Sequence, residues 1–191
     1  MKGDETMDKY VLEGQSREAS NQGTRAARKL RSDGQMPVNV YGAGKPNQFF
    51  SVKATEFFGA LEGSHRLFEI TCNGQTEMGL VKEVQYDTFG DHAIHADLNR
   101  VSMDDVVDST MHIKTLGVPK GLSTGGTLDV AYHHMPVRGK VSALKDSVVI
   151  NIENLASDES IRARDIDLPA GVETPLPEGT PIIIVHGRRG G

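Results

Sequence analysis

The sequence predicts a mainly β protein with a few short helices: an α+β first half followed by an all-β second half. Three observations carry that prediction. Nine of the ten aromatic residues precede residue 104, and only Tyr132 follows it. Behind the acidic stretch "VSMDDVVDST" the chain turns to Val, Ile, Gly and Pro, with strand-length apolar runs such as "VVINI" (148–152) and "PIIIV" (181–185) bounded by turn residues. In front of it, strand-like segments alternate with two stretches of helical spacing. A chain of 191 residues accommodates two domains. Their expected bounds are 8–103 and 104–187, with 1–7 and 188–191 as flexible tails.

Taken in order, "KYVLEGQSR" opens the first half as a strand. "GTRAARKLRSDG" reads as a short helix stopped at Gly34, a residue suited to the left-handed position after a helix. "MPVNVYG" and "QFFSVK" are strands, and "ATEFFGALEG" is a second helix. "FEITCNGQTEMGLVKEVQY" is a hairpin, because Asn73-Gly74 is the favoured two-residue turn between alternating segments. "DHAIHADLNRV" closes the first half as another strand.

Composition excludes several function classes. Hydrophobic residues make up 37% and aromatics 5%, with no tryptophan, which suits modest cores rather than a large enzyme interior. A lone cysteine, Cys72, leaves no intramolecular disulfide and no paired-cysteine metal motif, and fits a reducing, cytoplasmic compartment. No apolar run approaches the roughly 18 residues of a membrane span, and "MKGDETMDKY" lacks the apolar core of a secretory signal. "GLSTG" (121–125) matches a nucleophile elbow in letters only, since that motif needs a strand before it and a helix after. It is expected in a loop. "HAIH" (92–95), with Asp91 and Asp97 nearby, would put its two histidines on opposite faces of a strand, and His133-His134 meets the same objection. Cys72 beside a tight turn reads as a strand residue. The expectation is a protein with no catalytic site, metal or cofactor.

Charge is unevenly distributed. The chain has a formal net charge of −5, yet the window from Gly14 to Lys53 holds seven cations (Arg17, Arg25, Arg28, Lys29, Arg31, Lys45 and Lys53) against two acids, Glu18 and Asp33. A basic stripe on an acidic background is the footprint of a polyanion partner. On a helical wheel Arg25, Arg28, Lys29 and Ser32 share one face of the first helix, opposite Ala26, Ala27 and Leu30. In the strands, Val38 and Val40 point inward, leaving Asn39 and Tyr41 outside. Likewise Ile94, Ala96 and Leu98 form an inner row, with His95, Asp97 and Asn99 outside. Gln85 shares its row with both Val81 and Glu83, so alternation leaves its direction open. Phosphates repel Asp97, so it fits best as an acceptor for a base donor or as a holder of a neighbouring side chain.

The ordered set "GQSRE…QGTRAARKLRSDGQMPVNVYG…VKEVQYDTFGDHAIHADLNRV" resembles the bacterial ribosomal protein family that binds 5S rRNA, in the long form called general stress protein CTC. The resemblance covers essentially the whole chain. It implies an N-terminal six-stranded β-barrel with short helices, docking on the minor-groove side of the RNA's loop E, and a β-rich C-terminal domain. It implies RNA contacts at Arg17, Arg28, Tyr41, His95 and Asp97, with Lys29 and Gln85 in support. Arg25, in "QGTRAAR", departs from the family's glycine-rich lead into the helix and would be an extra phosphate contact or merely solvated. The implied setting is the cytoplasmic ribosome, beside other large-subunit components, with no DNA or membrane partner and a monomer when free. The alternative is a stress-related interaction protein acting through its C-terminal domain off the ribosome.

Overall fold

The computed structural model describes residues 7–17, 23–90 and 92–187. The expected tails lie outside that range except for Met7, which is instead buried. The internal contacts divide the chain into two compact units, Met1–Asp105 and Val106–Gly191.

In the first unit six strands close into a barrel. The strands are β1 (Lys9–Ser16), β2 (Gln35–Gly42), β3 (Lys45–Lys53), β4 (Leu67–Cys72), β5 (Gln75–Tyr86) and β6 (Ala93–Arg100). Their order around the barrel is β1-β3-β2-β6-β5-β4, and β4 returns to β1 through a parallel pairing. Closure removes both sheet edges. Two tight hairpins set the register. Asn73 and Gly74 between β4 and β5 both take positive φ, 50° and 77°, the primed turn that Asn-Gly favours. Ala43 and Gly44 make the corresponding turn between β2 and β3 at 55° and 65°.

Alternation fills the interior. Leu12, Met36, Val38, Val40, Phe50, Val52, Phe68, Ile70, Ala96 and Leu98 are buried together. The helix α2 (Ala54–Glu62) packs onto this cluster through Phe57, Ala60 and Leu61, with the Phe57 ring stacked 4.6 Å from that of Phe68. The interior is narrow: a Cβ at Gly79 would lie 2.8 Å from Leu98 Cβ. At the end of β6, Arg100 is 7% exposed, and each nitrogen of its guanidinium has a partner. It meets Glu77 of β5 at 2.7 Å and donates to the carbonyls of Gly42 and Pro46 at 2.9 and 3.3 Å. One side chain thereby ties β6 to β5 and to the β2–β3 hairpin.

Two irregularities shape the outer surface. Between β5 and β6, Val81 pairs with Leu98 and Glu83 with Asp97, so Lys82 is the extra residue of a bulge. Further along, Gln85 pairs with His95 and Tyr86 with Ala93, which makes Ile94 the extra residue on β6. This corrects the expected inner row of β6. Ala93 is buried and Ile94 only half-buried, because the bulge shifts the inside–outside phase by one residue.

The second unit carries two sheets. The larger has the order β10-β7-β9-β12, from β7 (Val106–Leu116), β9 (His134–Lys140), β10 (Ser147–Asn151) and β12 (Val172–Glu173). The smaller has the order β11-β13-β8, from β8 (Thr127–Val130), β11 (Ser160–Arg162) and β13 (Pro181–His186). The unit is β-rich, with one departure from the expected loop. "GLSTG" begins within a single helical turn, α3 (Lys120–Ser123), where the Ser123 hydroxyl donates to the Lys120 carbonyl at 2.6 Å. A strand, β8, follows it, so the order of elements is the reverse of a nucleophile elbow. Among the described residues no helix is long and apolar enough to cross a membrane.

Candidate nucleic-acid interface

The helix α1 (Thr24–Ser32) lies against β2 and buries none of its residues completely. Ala26, Ala27 and Leu30 are half-buried, while Arg25, Arg28, Lys29 and Ser32 are exposed, the division the wheel predicts. Asp33 and Gly34 end it, with Gly34 at a φ of 73°. Lys29 and Arg31 occupy the last turn, where cations oppose the negative end of the helix dipole. Arg31 Nη1 donates to the Ile94 carbonyl at 3.4 Å, so the bulge on β6 supplies the acceptor that anchors the helix.

Beside α1, β2, β6 and β5 present a continuous polar row. Asn39 is directly opposite Asp97 and Tyr41 opposite Asn99 across the parallel β2–β6 pairing. On the other side of β6, His95 faces Gln85 and Asp97 faces Glu83. The Lys82 bulge resolves the direction of Gln85: it places Glu83 and Gln85 on the outer face although Val81 stands on the inner one. Lys82 Nζ also sits 5.5 Å over the Tyr41 ring, within reach of a cation–π contact.

Three of these side chains are bonded to one another. Asn39 Nδ2 lies 3.1 Å from His95 Nε2 and donates to Asp97 Oδ1 at 3.1 Å. His95 Nδ1 is 3.7 Å from Asp97 Oδ1, and the two side chains are only 23% and 25% exposed. Between α1 and this row runs an open groove of about 350 Å³, lined by Arg17, Arg31, Asn39, Phe49 and His95 among others. Arg17 follows β1, its backbone N–H bonded to the Phe49 carbonyl at 2.8 Å. Burial pushes its guanidinium below the usual arginine value, in a group that stays cationic at neutral pH. It also lines a neighbouring groove with Lys29.

The sequence-predicted residues therefore gather unequally. Tyr41, Gln85, His95 and Asp97 share one face, with Arg17 beside His95 in the groove. Arg28 stands on the exposed side of α1, and Arg25 also points to solvent there, with no ion pair or hydrogen bond among the described residues. Asn39 was recognisable as outward-facing by alternation, but nothing in the sequence marked it as the bond between His95 and Asp97. Lys82 could not be found from the sequence, because a bulge has no signature in it. His92 and His95 approach different carboxylates, Asp87 at 3.6 Å and Asp97 at 3.7 Å. Cys72 is buried and accepts the Ser16 N–H at 3.2 Å.

A closed barrel with a cationic helix beside a half-buried polar row has the form of a β-surface binding module. Comparison with known proteins narrows this. Residues 12–98 match the Ribosomal L25p family, and residues 106–189 match the C-terminal domain of ribosomal protein TL5. The chain is 32% identical to the large ribosomal subunit protein bL25 of Rhodopirellula baltica over 86% of this chain and 76% of that protein. It is 32% identical to bL25 of a Nitratiruptor species, over 85% and 91%. For bL25 of Geobacter sulfurreducens the identity is 28%, over 95% of both chains. The chain belongs to the ribosomal L25p family, a family of structural rather than catalytic proteins.

Proposed function

We propose that this protein is an RNA-binding structural component of the large ribosomal subunit, working in the cytoplasm, and that its barrel binds 5S rRNA on the minor-groove side of loop E. Family membership supports the ribosomal role. The observation that carries the RNA reading is the half-buried Asn39–His95–Asp97 row beside the cations of α1. Arg17, Arg28 and Lys29 neutralise phosphates and release counterions, which supplies affinity without sequence information. Tyr41, Gln85, His95 and Asp97 meet base edges and sugar hydroxyls. A-form RNA has a wide, shallow minor groove that a sheet surface can enter, and a major groove too narrow for it.

A mobility-shift titration of the full chain, with magnesium at physiological salt, tests the reading. The loop E fragment is compared with a regular RNA duplex of equal length and charge. Selective, tight binding to loop E is expected. Equal weak binding to both would reduce the face to a basic stripe.

A further inference from the structure

We propose that Asn39 is a positioning residue: its amide holds His95 in the Nδ1–H form and ties down one oxygen of Asp97, fixing what this face offers to RNA. The proposal rests on the RNA-binding reading above. Its first step is the orientation of the Asn39 amide, which the hydrogen-bonding partners assign. A carboxylate only accepts hydrogen bonds, so the Asn39 atom 3.1 Å from Asp97 Oδ1 is the NH2 group and not the carbonyl oxygen. That same nitrogen lies 3.1 Å from His95 Nε2. Its two hydrogens serve two acceptors, so Nε2 carries a lone pair and the ring proton sits on Nδ1.

The consequence is a defined pair of groups facing outward. His95 Nδ1 is 3.7 Å from Asp97 Oδ1, beyond hydrogen-bond reach, and meets no other acceptor among the described residues, so its N–H stays available as a donor. Asp97 Oδ2 accepts no hydrogen bond among the described residues, so it remains an acceptor. The two functions stand one alternation apart on β6, with Asn39 beside them on β2. Without Asn39 the imidazole could present either nitrogen as donor, and Asp97 could turn. RNA would then have to order both groups on binding, an entropic cost that preorganisation removes.

The test reads the ring nitrogens directly. Long-range proton–nitrogen spectra of the 15N-labelled full chain report which nitrogen of His95 is protonated, with a His95→Gln sample to assign the ring. In the unsubstituted protein Nδ1 is protonated and Nε2 bare. Asn39→Leu, similar in volume but without an amide, gives a mixture of the two forms and binds the loop E fragment roughly tenfold more weakly, about the effect of one lost net hydrogen bond. Asn39→Asp offers an acceptor where the amide offered a donor, and shifts the ring proton to Nε2. A passive packing role predicts none of these tautomer changes. An unchanged ring spectrum in both variants, or unchanged RNA affinity in Asn39→Leu, would overturn the proposal. Failure of the unsubstituted protein to bind loop E would instead refute the RNA reading, and the spectra alone would decide whether Asn39 sets the tautomer.

Discussion

Replacing Arg100 by alanine removes the one cation buried in the barrel among the described residues and strands the groups it serves. Three contacts vanish together: the ion pair with Glu77 at 2.7 Å and the bonds to the Gly42 and Pro46 carbonyls at 2.9 and 3.3 Å. The Arg100 side chain is 6% exposed and that of Glu77 is 18% exposed, so water cannot fully replace the lost partner. Breaking a buried pair from one side costs about 3–5 kcal/mol, and the residual exposure of Glu77 places this case near the lower end. With a urea slope of about 1–3 kcal/mol per molar, the midpoint falls by on the order of 1–3 M. Three of the four tyrosines, Tyr10, Tyr41 and Tyr86, belong to the first unit, so tyrosine fluorescence during urea unfolding reports mainly on the barrel. The double variant Arg100→Leu with Glu77→Leu should recover part of the loss, because no charge is left buried alone. A midpoint within about 0.3 M of the parent (under about 1 kcal/mol at that slope), or a double variant no better than Arg100→Ala, would show that the guanidinium does not clamp the barrel.

Other substitutions separate the remaining parts of the argument. Gly79→Ala places a methyl 2.8 Å from Leu98 Cβ and should cost about 1–3 kcal/mol by overpacking, read as a lower urea midpoint with an unchanged slope. Arg28→Ala should weaken RNA binding on any sequence and flatten its salt dependence by about one phosphate contact, measured by titrations across a series of salt concentrations. Parallel slopes for variant and parent would remove Arg28 from the phosphate set. Asp97→Ala should cost on the order of 1–3 kcal/mol on loop E while leaving binding to a regular duplex unchanged or tighter. Tighter binding to both RNAs would mark Asp97 as a repelling charge only.

The parts of this structure legible in the sequence are those governed by local rules. Period-two alternation places Val38 and Val40 inside and Asn39 and Tyr41 outside. Asn73-Gly74 forms its turn, and the wheel separates the faces of α1 correctly. What the sequence hides depends on pairing between distant segments. The two bulges arise from how β5 and β6 register against each other, so Ile94 is displaced from its expected inner place and the direction of Gln85 stays open until the strands are paired. Arg100 reads as one more strand residue because its partners lie on three other segments. The Asn39–His95–Asp97 bonds join residues 56 and 58 positions apart, across a parallel pairing that no local pattern announces.

On the proposed RNA-binding reading, the pairing of β5 with β6 gives the interface a division of labour. Asp97 faces Glu83 directly across β5 and β6, and like charges so placed are mutually destabilising. Phosphates brought over that point would be repelled twice, so an RNA backbone bound as proposed would be steered toward the cations of α1 and Arg17 on the far side of the groove. What can approach Asp97 is a neutral donor, such as a base amino group or a sugar hydroxyl, and a base edge satisfies it only in one register. On that reading Asp97, an acid that phosphates would repel, acts with the arginines. They would hold the backbone on one line, and the Asp97–Glu83 pair would exclude it from the next, so that a correctly seated groove would be the one that brings a donor to Asp97 Oδ2.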